Sequence, residues 1–99
     1  MECELDKYCA KLQNYYNEDG KLIQYPSKRP MRVIALKKIA ESFPLGEIYT
    51  EKDVNYYIRE NIEFTDVEMI RREMFQYKIL GRLRDGSRYW LEENWNEVL

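Results

Sequence analysis

The chain has 99 residues, enough for one domain with a modest core, and its nine Tyr, three Phe and two Trp supply large contact area for that core. It has no histidine, two cysteines and four single glycines. That composition lacks the commonest acid–base group near neutral pH, any Ser–His or Cys–His nucleophile, a zinc ligand set and a phosphate-cradling glycine loop. No enzyme activity, metal or cofactor is therefore expected.

The net charge of −2 hides a block pattern: −3 over residues 1–20, +5 over 21–46, −5 over 47–68, +4 over 69–91 and −3 over the last eight. Such a chain is not an indiscriminate polyanion binder, but two of its segments are basic. No apolar run approaches the roughly 20 residues of a membrane span. The acidic opening Met1-Glu2-Cys3-Glu4-Leu5-Asp6 is unlike a signal peptide. The expected location is the cytoplasm, with no membrane partner and with Cys3 and Cys9 as reduced thiols.

Leu5, Tyr8, Cys9, Leu12, Tyr15 and Tyr16 recur at helical intervals, so residues 1–18 are expected to form an amphipathic helix. Its apolar stripe must be covered by the domain core, by a protein partner or by a second copy in a homodimer. Asn17-Glu18-Asp19-Gly20 is a turn cluster, and Lys21-Leu22-Ile23-Gln24-Tyr25 before Pro26 reads as a strand or extended segment.

Ser27-Lys28-Arg29-Pro30 opens the next helix, with proline suited to the first turn. That helix would bury Val33, Leu36, Ile39, Ala40 and Phe43 and stop before Pro44. After a brief extended Ile48-Tyr49, Thr50 and Asp53 form a capping pattern for a second helix running to about Asn61, with Val54, Tyr57 and Ile58 inward. Thr65 and Glu68 repeat the pattern for a third, to about Tyr77, on a stripe of Val67, Ile70, Met74 and Tyr77. Two helix starts this close suggest a helix-turn-helix.

Beyond Lys78 the period changes to that of strands. Residues 79–84 and 87–91 flank Asp85-Gly86, a pair suited to a two-residue hairpin turn. The predicted fold is α+β: a winged helix-turn-helix over residues 19–91, with three helices plus a β-hairpin wing. It is preceded by the N-terminal helix (residues 1–18) and followed by an acidic tail (residues 92–99) in which Trp95, Val98 and Leu99 could fold back.

From about Asp19 to Trp90 the chain resembles a bacterial family, the domain-of-unknown-function 2087 family. The resemblance rests on Tyr25-Pro26 before a basic cluster, on Tyr49-Thr50-Glu51-Lys52-Asp53-Val54-Asn55, and on Asp66 five residues before Arg71-Arg72-Glu73. It closes with Leu80, Arg82, Asp85-Gly86-Ser87 and Tyr89-Trp90. Members stand alone or are attached to helix-turn-helix regulators, so the resemblance implies a transcriptional regulator. It also marks Thr50, Glu51, Asn55, Asp66, Arg71, Asp85, Gly86, Tyr89 and Trp90 as motif positions. The chain departs from the family at Met74-Phe75-Gln76-Tyr77-Lys78, where Leu-Val-Asp and a small residue or glycine are usual.

Helical geometry separates the two arginines of the third helix. At about 100° per residue, Arg71 lies about 40° from Val67, beside the core stripe, whereas Arg72 points about 140° away. Arg71 should reach a carboxylate, Glu51 or Asp66. Arg72 is the ligand candidate, among Glu68, Met69, Glu73 and Gln76. On the hairpin, Arg82, Arg84 and Arg88 alternate with Leu83 and Tyr89, which predicts one basic and one apolar face. Tyr89 and Trp90 are expected to close the wing onto the helices.

The expected DNA-binding set is therefore Arg72, Gln76, Arg82, Arg84 and Arg88, with Lys28, Arg29 and Arg32 adding phosphate contacts. The expected function is a transcriptional regulator, or an accessory domain of one, that binds double-stranded DNA. The alternative is a protein-interaction module on the same fold, binding no DNA.

Overall fold

The computed structural model describes residues 10–98. Cys3, Leu5, Tyr8, Cys9 and Leu99, all invoked above, lie outside the described residues. The elements are a 3-10 turn Gln13–Tyr15, helix α1 (Arg29–Ala40), helix α2 (Glu51–Arg59), helix α3 (Val67–Gln76), strands β1 (Leu80–Arg82) and β2 (Tyr89–Leu91), and a 3-10 turn Trp95–Glu97. This is a small α+β architecture. Among the described residues no helix is long and apolar enough to cross a membrane.

Residues 10–12 are helical and pass into the 3-10 turn, but the chain becomes extended at Tyr16, so the helix expected through residue 18 stops earlier. The Asn17 side chain explains the stop. Its oxygen accepts from the N–H groups of Asp19 and Lys21, both at 2.9 Å, and folds the chain into a turn. Tyr16 then pairs antiparallel with Leu22, which also pairs in parallel with Ile62 between α2 and α3. Leu12 (1% exposed) and Leu22 (0%) enter the core, with Tyr15 and Tyr16 packed against it. The described part of the N-terminal segment is thus covered by the domain itself.

α1 is the most buried helix. Pro30 sits in its first turn, where a missing N–H costs nothing. Met31, Val33, Ala35, Leu36, Ile39 and Ala40 are buried over most of its circumference. It ends at Ala40, and the Ser42 hydroxyl donates to the Ile39 carbonyl at 2.7 Å. Phe43, beyond the helix end, packs its ring 5.3 Å from Tyr49 and 5.0 Å from Tyr57.

Thr50 and Asp53 form a complete capping box: the Thr50 side chain accepts from the Asp53 N–H and the Asp53 carboxylate from the Thr50 N–H. A cap of this kind is worth about 1 kcal/mol. At α3 the cap is Asp66, whose carboxylate accepts from the Met69 N–H at 3.2 Å. The expected start at Thr65 is one residue early. Val67, Ile70 and Met74 face the core. Of the helix pairs, α2 and α3 pack most extensively.

α3 ends in a left-handed reversal at Lys78 (φ 64°). The Ile79 N–H donates to the Met74 carbonyl and the Lys78 N–H to the Phe75 carbonyl, at 2.9 and 3.0 Å. This is the Schellman pattern, with lysine where glycine is usual. The reversal aims the chain directly into β1.

β1 and β2 pair antiparallel, with Leu80 opposite Leu91, Gly81 opposite Trp90 and Arg82 opposite Tyr89. A Cβ at Gly81 would collide with the Trp90 indole and the Glu92 carboxylate, which lie across it. Tyr49 adds a one-residue third strand: it exchanges two backbone hydrogen bonds with Tyr89, both at 2.7 Å. The hairpin is thereby anchored to the segment that leads into α2. Trp95 and Val98 of the C-terminal segment pack against the core.

Left-handed backbone costs a residue with a side chain about 1 kcal/mol, and glycine escapes that cost. Lys78→Gly should therefore raise stability by about 1 kcal/mol in urea denaturation, whereas unchanged or lower stability would show that the lysine side chain compensates.

Candidate nucleic-acid interface

Two charged side chains fix how α3 presents itself. On one flank the Arg71 guanidinium lies 2.8 Å from Glu51 Oε1 and donates to Asn55 Oδ1 at 2.5 Å, joining α3 to α2. Of the two expected carboxylates, Glu51 is the one engaged. Arg71 is nearly buried, its side chain 11% exposed. On the other flank Glu73 Oε1 accepts from the Tyr25 hydroxyl at 3.1 Å and from Arg32 at 3.4 Å.

Glu73 was expected on the outer face, where it would repel phosphate. Instead it lies about 60° from Ile70 around the helix, the mirror of Arg71 beside Val67. The Arg32 guanidinium stacks 4.9 Å from the Tyr25 ring centre and donates to the Pro26 carbonyl at 2.7 Å. Arg32 is thus spent within the fold and does not extend toward a phosphate.

What remains outward on α3 is Glu68, Arg72, Phe75 and Gln76. Phe75 is 39% exposed, and the Arg82 guanidinium of the hairpin covers its ring at 4.7 Å. Arg82 also donates to the carbonyls of Leu83 and Arg84, at 3.4 and 3.3 Å. It ties the hairpin loop to α3 and is a positioning residue more than a free cation.

The hairpin turn differs from a two-residue one. Leu83 donates to the Arg88 carbonyl and Gly86 to the Leu83 carbonyl, both at 3.0 Å, so residues 84–87 form a four-residue loop. Among the described residues Lys78 alone of the non-glycines has positive φ, so Asp85 cannot serve the mirror-image turn expected of Asp-Gly. The Asp85 carboxylate instead accepts from the Ser87 N–H and hydroxyl, at 2.9 and 2.7 Å, and Gly86 takes the left-handed position (φ 73°). Those bonds, the Ser87 hydroxyl first, hold the Asp85 carboxyl below its usual value.

Strand register also corrects the expected basic face. Residues opposite one another share a face, so Arg82 lies with Tyr89, and Arg88 with Leu83 on the other side. The arginines therefore surround the hairpin tip instead of lining one side. Tyr89 is buried and Trp90 half-buried, its Nε1 donating to Glu92 at 3.1 Å. Both close the hairpin.

Between α3 and the hairpin runs an open groove of about 480 Å³, lined by Arg71, Arg72, Phe75, Gln76, Arg82 and Tyr89 together with Glu51, Asp85 and Gly86. Arg84 and Arg88 are exposed around the hairpin tip but do not line the groove. The structure does not bring Lys28 and Arg29 to this groove. Arg29 covers the Tyr77 ring at 5.1 Å, on the Glu73 flank of α3, and Lys28 precedes it at the start of α1. Sequence reasoning missed the roles of Tyr25, Glu73 and Phe75. The first and third arise only in tertiary contact, but the helical arithmetic that separated Arg71 from Arg72 also places Glu73 beside the core.

Two phenols, Tyr25 beside Glu73 and Tyr16 beside Lys38 at the far end of α1, couple the fold to alkaline pH. Burial, then Glu73, raises Tyr25 far above its ordinary value; burial, then Glu41, pushes Tyr16 up to about 12. In the unfolded chain both ionise near the ordinary 10.0, so their contribution to stability is complete below that pH. It is lost as pH rises from about 10 toward 12, because the unfolded chain sheds the protons first. The urea midpoint should fall between about pH 8 and about pH 11, and fall less in Tyr25→Phe; an equal fall would contradict this assignment.

The chain matches no curated protein and no solved structure. One family model does match, over residues 21–91, spanning all the helices and strands numbered here. The chain thus belongs to the DUF2087 family, described as uncharacterized protein conserved in bacteria.

Proposed function

We propose that the chain is a winged-helix DNA-binding protein acting in bacterial transcription regulation in the cytoplasm. The element order supports this reading. α1, the short Tyr49 strand, α2, α3 and the hairpin follow the winged-helix plan, in which the third helix enters the major groove and the wing lies beside it.

The observation that carries the proposal is the outer pole of α3. Arg72 stands there exposed while Glu73 is turned to Tyr25 and Arg32, and the arginine-bearing hairpin tip flanks it across an open groove. Arg72, Arg84 and Arg88 are the phosphate or base contacts in this reading, with Gln76 beside Arg72. Arg82 holds the hairpin in position.

A second reading, a protein-interaction module, is favoured by Leu45 and Ile48, which are 76% and 61% exposed between α1 and α2. Isolated exposed apolar residues are common, however, and these two carry less weight than the arginine arrangement.

Titration of isotope-labelled protein with mixed-sequence duplex at low salt should shift resonances of α3 and of residues 82–88. Affinity should fall steeply with salt, because each neutralised phosphate releases a counterion. The combined Arg72→Ala, Arg84→Ala and Arg88→Ala variant should lose about tenfold or more. A titration that moves neither α3 nor the hairpin would overturn the proposal and leave the interaction module as the better reading.

A further inference from the structure

The outer stripe of α3 has a chemistry beyond phosphate binding. Glu68, Arg72 and Gln76 are spaced one helical turn apart on the exposed side, and Phe75 stands next to Gln76 with part of its ring open. Glu68 repels phosphate oxygens but can accept from the cytosine N4 amine, so this stripe suits a base edge better than a phosphate. At a base edge, arginine pairs with guanine O6 and N7, glutamine with adenine N7 and N6, and an apolar side chain packs on the thymine methyl.

From Arg72, Phe75 and Gln76, and resting on the DNA-binding reading above, we propose that α3 is a sequence reader. Arg72 selects guanine, Gln76 selects adenine, and Phe75 contacts a neighbouring thymine methyl. The four residues from Arg72 to Gln76 advance about 6 Å, close to two base steps of about 3.4 Å, so the guanine and adenine lie about two steps apart in fixed order.

The structure equips these side chains to discriminate. α3 is fixed in rotation by Arg71 and Glu73, so Arg72 and Gln76 are held outward on a rigid element. Phe75 is fixed beneath the Arg82 guanidinium of the hairpin, with part of its surface left exposed. Glu92, Glu93 and Glu97 outnumber Lys78 in a second groove on the other side of Phe75 and Gln76, so backbone phosphate is disfavoured there too.

The test is selection of bound duplexes from a randomised pool by the full chain, followed by affinity measurements on the enriched site. The enriched site should contain the G·C and A·T pairs in fixed order, and changing either pair should cost about tenfold. Arg72→Ala should abolish the preference at the guanine and keep it at the adenine. Gln76→Ala should do the reverse. Replacing the thymine by uracil, which removes only the methyl, should weaken binding about fourfold, and Phe75→Ala should erase that difference.

All three side chains are exposed or half-exposed, so the variants should fold, which circular dichroism would check. If the chain binds every duplex equally, the sequence-reading inference is overturned while DNA binding stands. If it binds no duplex, both fall.

Discussion

Arg71 and Glu73 leave α3 on opposite flanks, and that divergence governs what the domain can present to a partner. Arg71 is held by Glu51 and Asn55 of α2; Glu73 is held by Tyr25 and by Arg32 of α1. Between them stands Arg72, which the two flanking bonds force outward. Rotation of α3 by one residue, about 100°, would bury Arg72 and expose Val67 or Met74. The core alone would resist that rotation through apolar burial, and the two charged contacts add directional hydrogen bonds that apolar packing lacks.

The hairpin is fixed to the same frame by two different links. Tyr49 and Tyr89 exchange backbone hydrogen bonds on one strand, and Arg82, opposite Tyr89 on the other, stacks on Phe75. The lever between helix and hairpin is short, because the Lys78 reversal sends the chain from α3 directly into β1. A ligand in the groove would thus meet a helix face and a loop at a set separation, which favours affinity by reducing the ordering cost on binding.

Much of this was legible in the sequence, for identifiable reasons. Helical periodicity located α1, α2 and α3, and Thr50 with Asp53 marked the start of α2 because a capping box is a local device. The α3 start slipped by one residue because Thr65 and Asp66 are both good caps and sit side by side. Asp85-Gly86 correctly located the hairpin but suggested the wrong turn. Its type depends on the Asp85 bonds to Ser87 and on the backbone sign at one residue, which composition does not encode. The basic hairpin face failed because alternation along one strand says nothing about which residues on the other strand share its side. The N-terminal helix ends early at the Asn17 turn, and the extended course of Tyr16 is then held by Leu22, which pairs with both Tyr16 and Ile62, a contact between distant segments.

Arg71 is held inside the fold while the adjacent Arg72 is exposed, and in the proposed reading Arg72 is the one that meets DNA. Labelling of arginines with a dicarbonyl reagent, followed by mass spectrometry with and without a DNA duplex, tests it most directly. Arg72 should be modified rapidly in the free chain and protected by the duplex, whereas Arg71 should be modified slowly in both. Equal reactivity of Arg71 and Arg72 in the free chain, or an Arg72 that the duplex leaves unprotected, would contradict it.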